Sequence, residues 1–405
     1  MNTAAIHPLY ECFTRRNLCF KRGNGVWLIS DKGETYLDCT SGIAVNALGY
    51  AHPKLVDALK TQAEKLWHVS NLFQSPEQEA FAERLCINSF ADKVFFCNSG
   101  AEALECAFKT ARHYHYASDH PERIEIITFE GAFHGRTLAT LAATGQEKYL
   151  EGFGPKVSGF IQIPFFDEIA LQRAINKNTA AILIEPIQGE GGIREVSHKN
   201  LKLLRKICDD NGLLLILDEV QTGIGRTGKL FAYEWSDIVP DILTLAKGLG
   251  GGFPLGACLA TDKAAKNMTP GTHGSTFGGN LLGLAVGNSV LDVILEPDFL
   301  HHVQRMGQKL RSGLLTILNT YPNIICAIHG VGLMVGIQCA LPSHIVVNAL
   351  ENEYILSVSA NNNIVRLLPP LIINEEEISE SLCRIEKAIS YLSQINKDDK
   401  QNAIK

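Results

Sequence analysis

Two charged residues follow apolar runs at positions where they could do chemistry. Lys247 comes shortly after the apolar run 242–245 and precedes the glycine-rich residues 248–252. Asp218 ends the apolar run 213–217. In open α/β sheets the carboxyl ends of the strands form the ligand-binding edge, so an amine nucleophile and a carboxylate could meet there. Taken singly, each residue is more often a member of a structural ion pair.

Residues 97–102 form a third segment with chemical potential. The sequence Cys-Asn-Ser-Gly-Ala-Glu ends a strand candidate at 94–97 and begins a helical pattern. Small residues at a helix start allow backbone N–H groups to approach a phosphate, and Ser99 can add its hydroxyl. When the segment is considered alone, an ordinary helix N-cap is the simpler interpretation.

Together, the three sites match the needs of pyridoxal 5'-phosphate. This cofactor requires a lysine for a Schiff base, an acidic partner for its pyridine nitrogen and a site for its phosphate. Lys247, Asp218 and residues 99–101 all stand at strand ends of one predicted sheet. The combination therefore favours a cofactor site over three unrelated structural residues.

A glycine-rich segment at 223–229 supports a competing hypothesis, nucleotide binding. It satisfies G-x-G-x-x-G and, with Lys229, most of a P-loop. A P-loop needs Ser or Thr after the lysine, where Leu230 stands, and both motifs must begin a helix. The residues after Lys229 show no amphipathic start of a helix. We therefore expect a glycine-rich active-site loop here.

The elements that would position these residues alternate between short apolar strands and amphipathic helices. One helix is predicted to begin at Ser75-Pro76 with Gln78 completing a capping box. Apolar runs without alternation are typical of a sheet covered on both faces, and they occur at 94–97, 124–127, 180–184, 213–217, 242–245 and 255–260. The pattern predicts an α/β fold with a mostly parallel sheet, followed after residue 296 by a smaller α+β domain.

The composition excludes several classes of protein. The 405 residues are 46% hydrophobic and 20% charged, which excludes a largely disordered chain, and the net charge of -6 gives no basic footprint for nucleic acid. Apolar runs are too short for a membrane span and no signal-peptide pattern is evident, so we expect a cytoplasmic protein. The 11 cysteines form no C-x-x-C pair, and the cluster of His113, His115 and His120 lacks carboxylates at ligand spacing. No metal site is expected.

The chain resembles the class III, or ω-amino-acid, pyridoxal-phosphate-dependent aminotransferases of fold type I, and within them the acetylornithine aminotransferase branch. The resemblance extends from residue 10 to residue 392. Its most specific blocks are residues 98–102, 132–136, 185–192, 218–221, 246–247 and 273–276. The resemblance implies a large cofactor-binding domain at 51–296, with a mostly parallel seven-stranded sheet covered by helices. It also implies a smaller α+β domain formed by the segments 1–50 and 297–405.

The resemblance also implies a role for each matching residue. Lys247 would be the catalytic residue that forms the Schiff base and moves the proton. Thr276 would reach the phosphate of the neighbouring subunit in a homodimer. The cofactor would be held by Ser99, Gly100, Ala101, Phe133, His134, Asp218, Val220, Gln221, Lys247 and Thr276. The substrate would be held by Arg136, Glu190, Arg366 and Ser275.

The implied reaction moves the terminal amino group of N2-acetyl-L-ornithine to 2-oxoglutarate, giving N-acetyl-L-glutamate 5-semialdehyde and L-glutamate in arginine biosynthesis. Glutamate has an α-carboxylate beside its reacting amine and acetylornithine has none there, but both have a distal carboxylate. The resemblance assigns Arg136 to the distal group and Arg366 to the α-carboxylate, each suited to a bidentate clamp. Glu190 would pair with Arg366 when the α-carboxylate is absent. A plain structural salt bridge is the alternative for this pair.

Departures from the family pattern bear on the substrate. Ala101 and Leu104 stand where many relatives have Thr and Asn. Without the threonine hydroxyl at position 101 one phosphate contact would be lost and the backbone donors would remain, whereas Leu104 weakens only the match to the motif. The segment 41–46 lacks the tyrosine that ornithine aminotransferases have there, and the small Gly42 would leave space for an N-acyl group. The nearest alternatives are N-succinyl-diaminopimelate aminotransferase, in lysine biosynthesis, and succinylornithine aminotransferase; ornithine and 4-aminobutyrate enzymes are more distant. An isomerase of the same fold, which moves an amino group without transferring it, is a further alternative.

Overall fold

The structure, a computed structural model, describes residues 9–402, with side chains through residue 395. Its strands are β1 (Phe20–Asn24), β2 (Trp27–Ser30), β3 (Thr35–Asp38), β4 (Lys93–Cys97), β5 (Glu125–Phe129), β6 (Phe160–Ile163), β7 (Thr179–Ile184), β8 (Ile187–Gln188), β9 (Arg194–Glu195), β10 (Leu214–Asp218), β11 (Ile242–Leu245), β12 (Gly256–Ala260), β13 (Ile325–Val331), β14 (Met334–Cys339), β15 (Ile355–Leu356), β16 (Val358–Ala360) and β17 (Ile364–Leu367).

The helices lie between and after these strands. They are α1 (Ser41–Ala44), α2 (Pro53–Ala63), α3 (Pro76–Ile87), α4 (Gly100–Tyr116), α5 (Leu138–Thr144), α6 (Glu147–Leu150), α7 (Glu168–Ala174), α8 (His198–Asn211), α9 (Asp262–Ala265), α10 (Leu281–Ile294), α11 (Phe299–Thr320), α12 (Ser343–Asn352) and α13 (Glu375–Asn402). Two 3₁₀ helices span Ala232–Ser236 and Lys247–Gly250. Among the described residues, no helix combines the length and apolar character needed to cross a membrane.

A seven-stranded sheet forms the centre of the molecule, in the order β4-β12-β11-β10-β7-β5-β6. Strand β12 runs antiparallel to its neighbours β4 and β11, and the other neighbouring pairs are parallel. The predicted α/β fold with a mostly parallel, helix-covered sheet is therefore confirmed.

Both faces of this sheet are buried, which explains its apolar strands. On β10, Leu214 and Ile216 pack in the same hydrophobic cluster as Leu104 of α4. The intervening residues Leu215 and Leu217 belong to the cluster on the other face, which also contains residues of α8. Each strand residue thus contacts apolar side chains whichever way it points, because successive side chains alternate between the two faces.

The sequence predicted six of the seven strands to within two residues at each end. Strand β6 was missed, because its four residues include Gln162 and it lies at the edge of the sheet. Helix α3 begins as predicted, with the Ser75 hydroxyl accepting a hydrogen bond from Gln78 N. The capping-box role of Gln78 was wrong, because its side chain donates instead to Asn71 Oδ1 at 3.2 Å.

In the described residues two four-stranded sheets accompany the central one, and β8 and β9 form a third, two-stranded sheet. The order β13-β14-β17-β16 forms an antiparallel sheet near the C-terminus. In the other four-stranded sheet, β15 pairs in parallel with β3, so N-terminal and C-terminal segments share one sheet. The division of the chain at residues 50 and 296 stays a prediction.

Candidate active site

A cavity of ≈ 340 Å³ lies at the carboxyl edge of the central sheet. This is the edge at which ligands bind in open α/β sheets. The cavity brings together ten of the predicted site residues, namely Ser99, Gly100, Ala101, Phe133, His134, Glu190, Asp218, Val220, Gln221 and Lys247. Segments that are far apart in the sequence therefore converge on one site.

Asp218 is held at the end of β10 by three hydrogen bonds. Its Oδ2 accepts from His134 Nδ1 at 2.8 Å, and its Oδ1 accepts from Val220 N at 3.0 Å and Thr244 Oγ1 at 3.3 Å. The carboxylate is buried, at 4% exposure. A buried charge needs such donors, and they also fix its orientation toward the cavity.

Lys247 follows β11 and begins a 3₁₀ helix with φ of 45°. Burial lowers the pKa of its amine, and the charge of Arg366 lowers this pKa further, whereas Glu190, Asp218 and Glu185 raise it. A lowered pKa increases the fraction of neutral amine, which is the nucleophilic form. The environment of Lys247 therefore favours the nucleophilic form of its amine.

The N-terminus of the 17-residue helix α4 faces the cavity through Gly100 and Ala101. A Cβ at Gly100 would lie 2.8 Å from Val220 Cγ1, so glycine permits this close approach. The Ser99 hydroxyl accepts from Glu102 N at 3.3 Å and donates to Glu102 Oε2 at 3.0 Å. In this arrangement the hydroxyl acts as the helix cap, and the free backbone N–H groups remain for an anion.

Glu185 is a cavity residue to which the sequence analysis assigned no role. Its Oε1 accepts from Phe133 N at 2.9 Å, and its Oε2 accepts from Gly189 N at 3.3 Å. Burial raises the pKa of Glu185 to about 7; His134 acts in the opposite direction and Asp218 adds to the increase. Its position directly after β7, the neighbour of β10, was the available signal, since the same rule found Asp218.

Four predicted site residues do not line the cavity. Arg366 is 2% exposed, and its Nη1 donates to Glu190 Oε1, a cavity residue, at 2.6 Å. Arg136 is exposed and its guanidinium lies 5.5 Å from the centre of the Phe133 ring, on the approach to the cavity. The other two, Ser275 and Thr276, line a separate groove of ≈ 930 Å³.

The glycine-rich segment 223–229 lines no part of the cavity, so the expected active-site loop was wrong. The segment forms successive turns and no helix begins at Lys229. A nucleotide phosphate would therefore find no helix N-terminus here, which removes the basis of the nucleotide-binding hypothesis. Among the described residues, no group of three or more His, Cys, Asp or Glu could hold a metal ion.

The residues of the cavity fit pyridoxal 5'-phosphate. Two buried polar atoms at the cavity, Gln221 Oε1 and His134 Nε2, have no partner within the protein. The site also offers a reactive amine at Lys247, a fixed carboxylate at Asp218 and a helix N-terminus. These groups match an aromatic, phosphate-bearing aldehyde with a ring nitrogen and a ring hydroxyl.

Comparisons with solved structures agree with the geometry. The N-acetylornithine aminotransferase of Stenotrophomonas maltophilia K279a is similar with a TM-score of 0.83 and 37% identity, over 93% of this chain and 97% of that one. The ornithine aminotransferase of Toxoplasma gondii ME49 gives a TM-score of 0.92 at 31% identity, over 96% and 93% of the two chains. Another structure of the Toxoplasma gondii enzyme is described with partial occupancy of PLP at its active site.

The fold and the site define a pyridoxal-phosphate-dependent aminotransferase. Residues 13–389 match the family model for aminotransferase class III. The chain belongs to the class III aminotransferase family. Acetylornithine aminotransferases of Brucella melitensis and Mesorhizobium japonicum are similar to it, at 60% identity over 98% of both chains and at 61% over 95% of this chain and 96% of the other.

Proposed function

We propose that this enzyme transfers the terminal amino group of N2-acetyl-L-ornithine to 2-oxoglutarate, as a step of arginine biosynthesis. The observation that carries the proposal is the pair formed by buried Arg366 and the cavity residue Glu190, 2.6 Å apart. Such a pair can serve one amino donor with an α-carboxylate and another without it. The names of the relatives, acetylornithine aminotransferases at about 60% identity, support this choice of substrate.

The cofactor is proposed to be pyridoxal 5'-phosphate, which supplies an aldehyde for amines and an electron sink for the carbanion. Asp218 would accept a hydrogen bond from the protonated pyridine nitrogen, and His134 would keep Asp218 in place. Phe133 would pack against the ring and Gln221 would bind its hydroxyl. Gly100 and Ala101 at the start of α4 would donate backbone N–H groups to the phosphate.

Lys247 would carry the reacting proton at its Nζ. The amine must first be neutral to take a proton from the substrate carbon, and its lowered pKa favours that state. It would then return the proton at the neighbouring carbon. Its place at the beginning of a short 3₁₀ helix anchors the backbone while the long side chain moves.

Arg366 and Glu190 would allow one site to bind both amino donors. When glutamate is bound, its α-carboxylate would take the guanidinium of Arg366 and Glu190 would turn away. When acetylornithine is bound, Glu190 would remain on Arg366, so that no buried cation is left unpaired. Arg136, at the approach to the cavity, would hold the distal carboxylate of either substrate.

The proposal includes a cytoplasmic homodimer in which Ser275 and Thr276 complete the partner's site. Both residues line the groove beside the cavity, and Asn98, which lines the cavity, donates to Ser275 Oγ at 3.2 Å. Large apolar side chains are exposed near this groove in the single chain, Leu72 and Phe277 among them. Covering such side chains is a common reason for association. We also propose the two-domain division at residues 50 and 296.

Comparing amino donors tests the substrate. We expect kcat/KM for acetylornithine to exceed that for free ornithine by at least about 10-fold, since no tyrosine stands in the segment 41–46 to favour a free amino acid. N-Succinyl-diaminopimelate, which would connect the enzyme to lysine biosynthesis, is assayed beside them. Equal values for ornithine and acetylornithine would overturn the choice of an acylated donor.

The variant Glu190→Gln tests the pair. It keeps the shape of the side chain but removes the charge that neutralises Arg366. We expect kcat/KM for acetylornithine to fall about 10-fold or more, because Arg366 is then an unpaired buried cation, while the value for glutamate is retained. Glu195→Gln serves as a control on the neighbouring strand β9. An equal decrease of kcat/KM for the two donors would contradict the proposed role of the pair.

A further inference from the structure

The segment 223–229, which resembles a nucleotide-binding motif, contains an arginine that the proposed chemistry does not use. Arg226 is 2% exposed and is among the largest fully buried side chains of the described residues. Its Nη1 donates to two backbone carbonyls, Leu333 O at 3.0 Å and Pro369 O at 2.6 Å. The backbone of Arg226 takes part as well, because Leu333 N donates to Arg226 O at 3.1 Å.

The position of this cation is costly. No carboxylate influences Arg226, and burial alone lowers its pKa to about 9. Its Nη2 has no hydrogen-bond partner. A buried guanidinium without a counter-ion loses hydration that carbonyl dipoles replace only in part. An apolar side chain would avoid this desolvation cost. The presence of an arginine therefore needs an explanation other than stability, and its Nη1 contacts supply one.

The two carbonyls lie at the end of the strand pair that carries Arg366. Strands β14 and β17 are antiparallel, with Val335 opposite Leu367 and Gly336 opposite Arg366. Continuing this register by two residues places Leu333 opposite Pro369, just beyond the last paired residues. One nitrogen of Arg226 therefore joins the two strands at the point where their own pairing ends.

The contact surface around Arg226 is tightly packed. Gly332 has φ of +59°, and a Cβ there would lie 2.5 Å from Thr227 C and 2.8 Å from Arg226 O. On the other side, Gln304 Nε2 donates to Gly228 O at 2.6 Å. The segment itself follows β10 directly, because Gly223 N donates to Glu219 O at 3.0 Å. A short, rigid path therefore connects Asp218 with the strands β14 and β17.

We propose that Arg226 is a positioning residue for Arg366, fixing the β14–β17 end against the segment that follows Asp218. It acts only through Arg366 and touches neither substrate nor cofactor. The inference rests on the proposed function, in which Arg366 binds the α-carboxylate of glutamate. The segment 223–229 would thus act as a structural joint, which connects the side of the site that contains Asp218 with the side that contains Arg366.

The test separates the two half-reactions of the enzyme loaded with pyridoxal 5'-phosphate. In Arg226→Met, which removes the donors but fills the space, we expect the KM for glutamate to rise about 10-fold or more, since misplacing a binding group by an ångström is that costly. Amino transfer from acetylornithine, whose carboxylate Arg366 does not bind and with which Glu190 stays paired to Arg366, should change less than about 3-fold. A purely structural defect would lower both half-reactions together, and that result would overturn the proposal.

Two further variants sharpen this test. Because a single nitrogen serves both carbonyls, Arg226→Lys should restore part of the glutamate KM, and it replaces Arg226→Met if the latter does not fold. The matched control is Arg112→Met, which removes another arginine bonded to two backbone carbonyls, Ile124 O and Ser158 O, on a different part of the molecule. This control should change neither the KM for glutamate nor the amino transfer from acetylornithine relative to the other. If Arg112→Met raised the KM for glutamate as much as Arg226→Met does, the proposal would be overturned.

Hydrogen exchange gives a readout that does not need activity. In Arg226→Met, the backbone amides of 333–337 and 364–368 should exchange faster, while those of β7 and β10 stay unchanged. If the wild-type enzyme transferred no amino group from glutamate, the proposed function would fail but this exchange result would still report on the joint. Unchanged exchange at 333–337 would show that Arg226 does not hold the ends of β14 and β17, and it would overturn the proposal.

Discussion

At the scale of single residues, Asp218 shows how the site makes a buried carboxylate useful. Three donors hold it, and the nearest, His134, is itself buried with its Nε2 unpartnered. Because His134 donates through Nδ1, the ring is held in one orientation and Asp218 keeps a free lone pair for a ligand. The carboxylate can thus stabilise a positive charge on a bound pyridine ring, which is what makes that ring an electron sink.

Asp218→Asn should therefore reduce kcat about 10²–10³-fold, because the uncharged amide no longer favours a protonated ring nitrogen. The measurement is steady-state kinetics at saturating pyridoxal 5'-phosphate. Asp241→Asn is the matched control, since Asp241 lies on the same sheet beside the beginning of β11, where it binds Arg205 and Leu215 N. If Asp218→Asn kept more than a tenth of the wild-type kcat, the assigned role would be contradicted.

At the scale of elements, strand ends explain both what the sequence could predict and what it could not. The positions of Lys247 and Asp218 were predictable because Asp218 ends one fully buried apolar strand and Lys247 closely follows another. Glu185 follows such a strand too, but its contact with Phe133 N joins residues 52 positions apart, and no local sequence pattern encodes that contact. Strand β6 was hidden because an edge strand of four residues leaves too short a pattern.

Long-range hydrogen bonds set the remaining limits of the sequence analysis. Arg226 belongs to a motif that looks local, yet its side chain binds carbonyls more than a hundred residues away. The sequence alone therefore indicated that the motif is a poor nucleotide site. The hydrogen-bond partners of Arg226 could be identified only from the tertiary structure. The ion pair of Arg366 and Glu190 could be anticipated only through the family resemblance, for the same reason.

Glu219 provides a test of stability at the end of β10. Its carboxylate accepts from Ala232 N at 2.6 Å and Tyr233 N at 2.9 Å, joining the strand to the following 3₁₀ helix, and burial raises its pKa to about 7. The folded protein then binds more protons than the unfolded chain between the ordinary glutamate pKa and pH 7. This group should therefore make the protein less stable as the pH rises through that interval.

The prediction is checked by the melting temperature of wild type and Glu219→Gln at pH 5 and pH 8. The variant cannot titrate at this position, so the wild type should lose more stability than the variant between the two pH values. Glu79→Gln, which replaces an exposed glutamate of α3, is the control for the substitution itself. An identical pH dependence in wild type and Glu219→Gln would show that Glu219 does not titrate as described.

At the scale of the whole molecule, the site depends on segments from most of the chain. The central sheet supplies Asp218 and Lys247, whereas Arg366 comes from the C-terminal sheet that shares no strand with it. Ser275 and Thr276 lie in a groove outside the cavity of their own chain. In the homodimer that we propose, this separation has a function, because each chain would complete the other's phosphate site.

Subunit complementation tests that arrangement. Lys247→Ala and Thr276→Asp should each be poorly active, the second because a carboxylate would repel the phosphate. In a mixed dimer of the two variants, one site would contain both intact residues, so random mixing should restore about a quarter of the wild-type activity. Thr272→Asp, on the same exposed loop, is the control. Failure of the mixed dimers to regain activity would contradict a shared site.

The central claim is that Lys247 reacts with pyridoxal 5'-phosphate and carries the proton during amino transfer. The most direct measurement is the visible absorption of the purified protein with this cofactor, recorded before and after glutamate is added, for wild type and Lys247→Ala. We predict a Schiff-base band in the wild type that disappears with glutamate, no such band in the variant, and at least about a 10³-fold loss of turnover. Lys206→Ala, on the surface of α8, should behave as wild type. A Lys247→Ala protein that keeps both the band and full turnover would contradict the account.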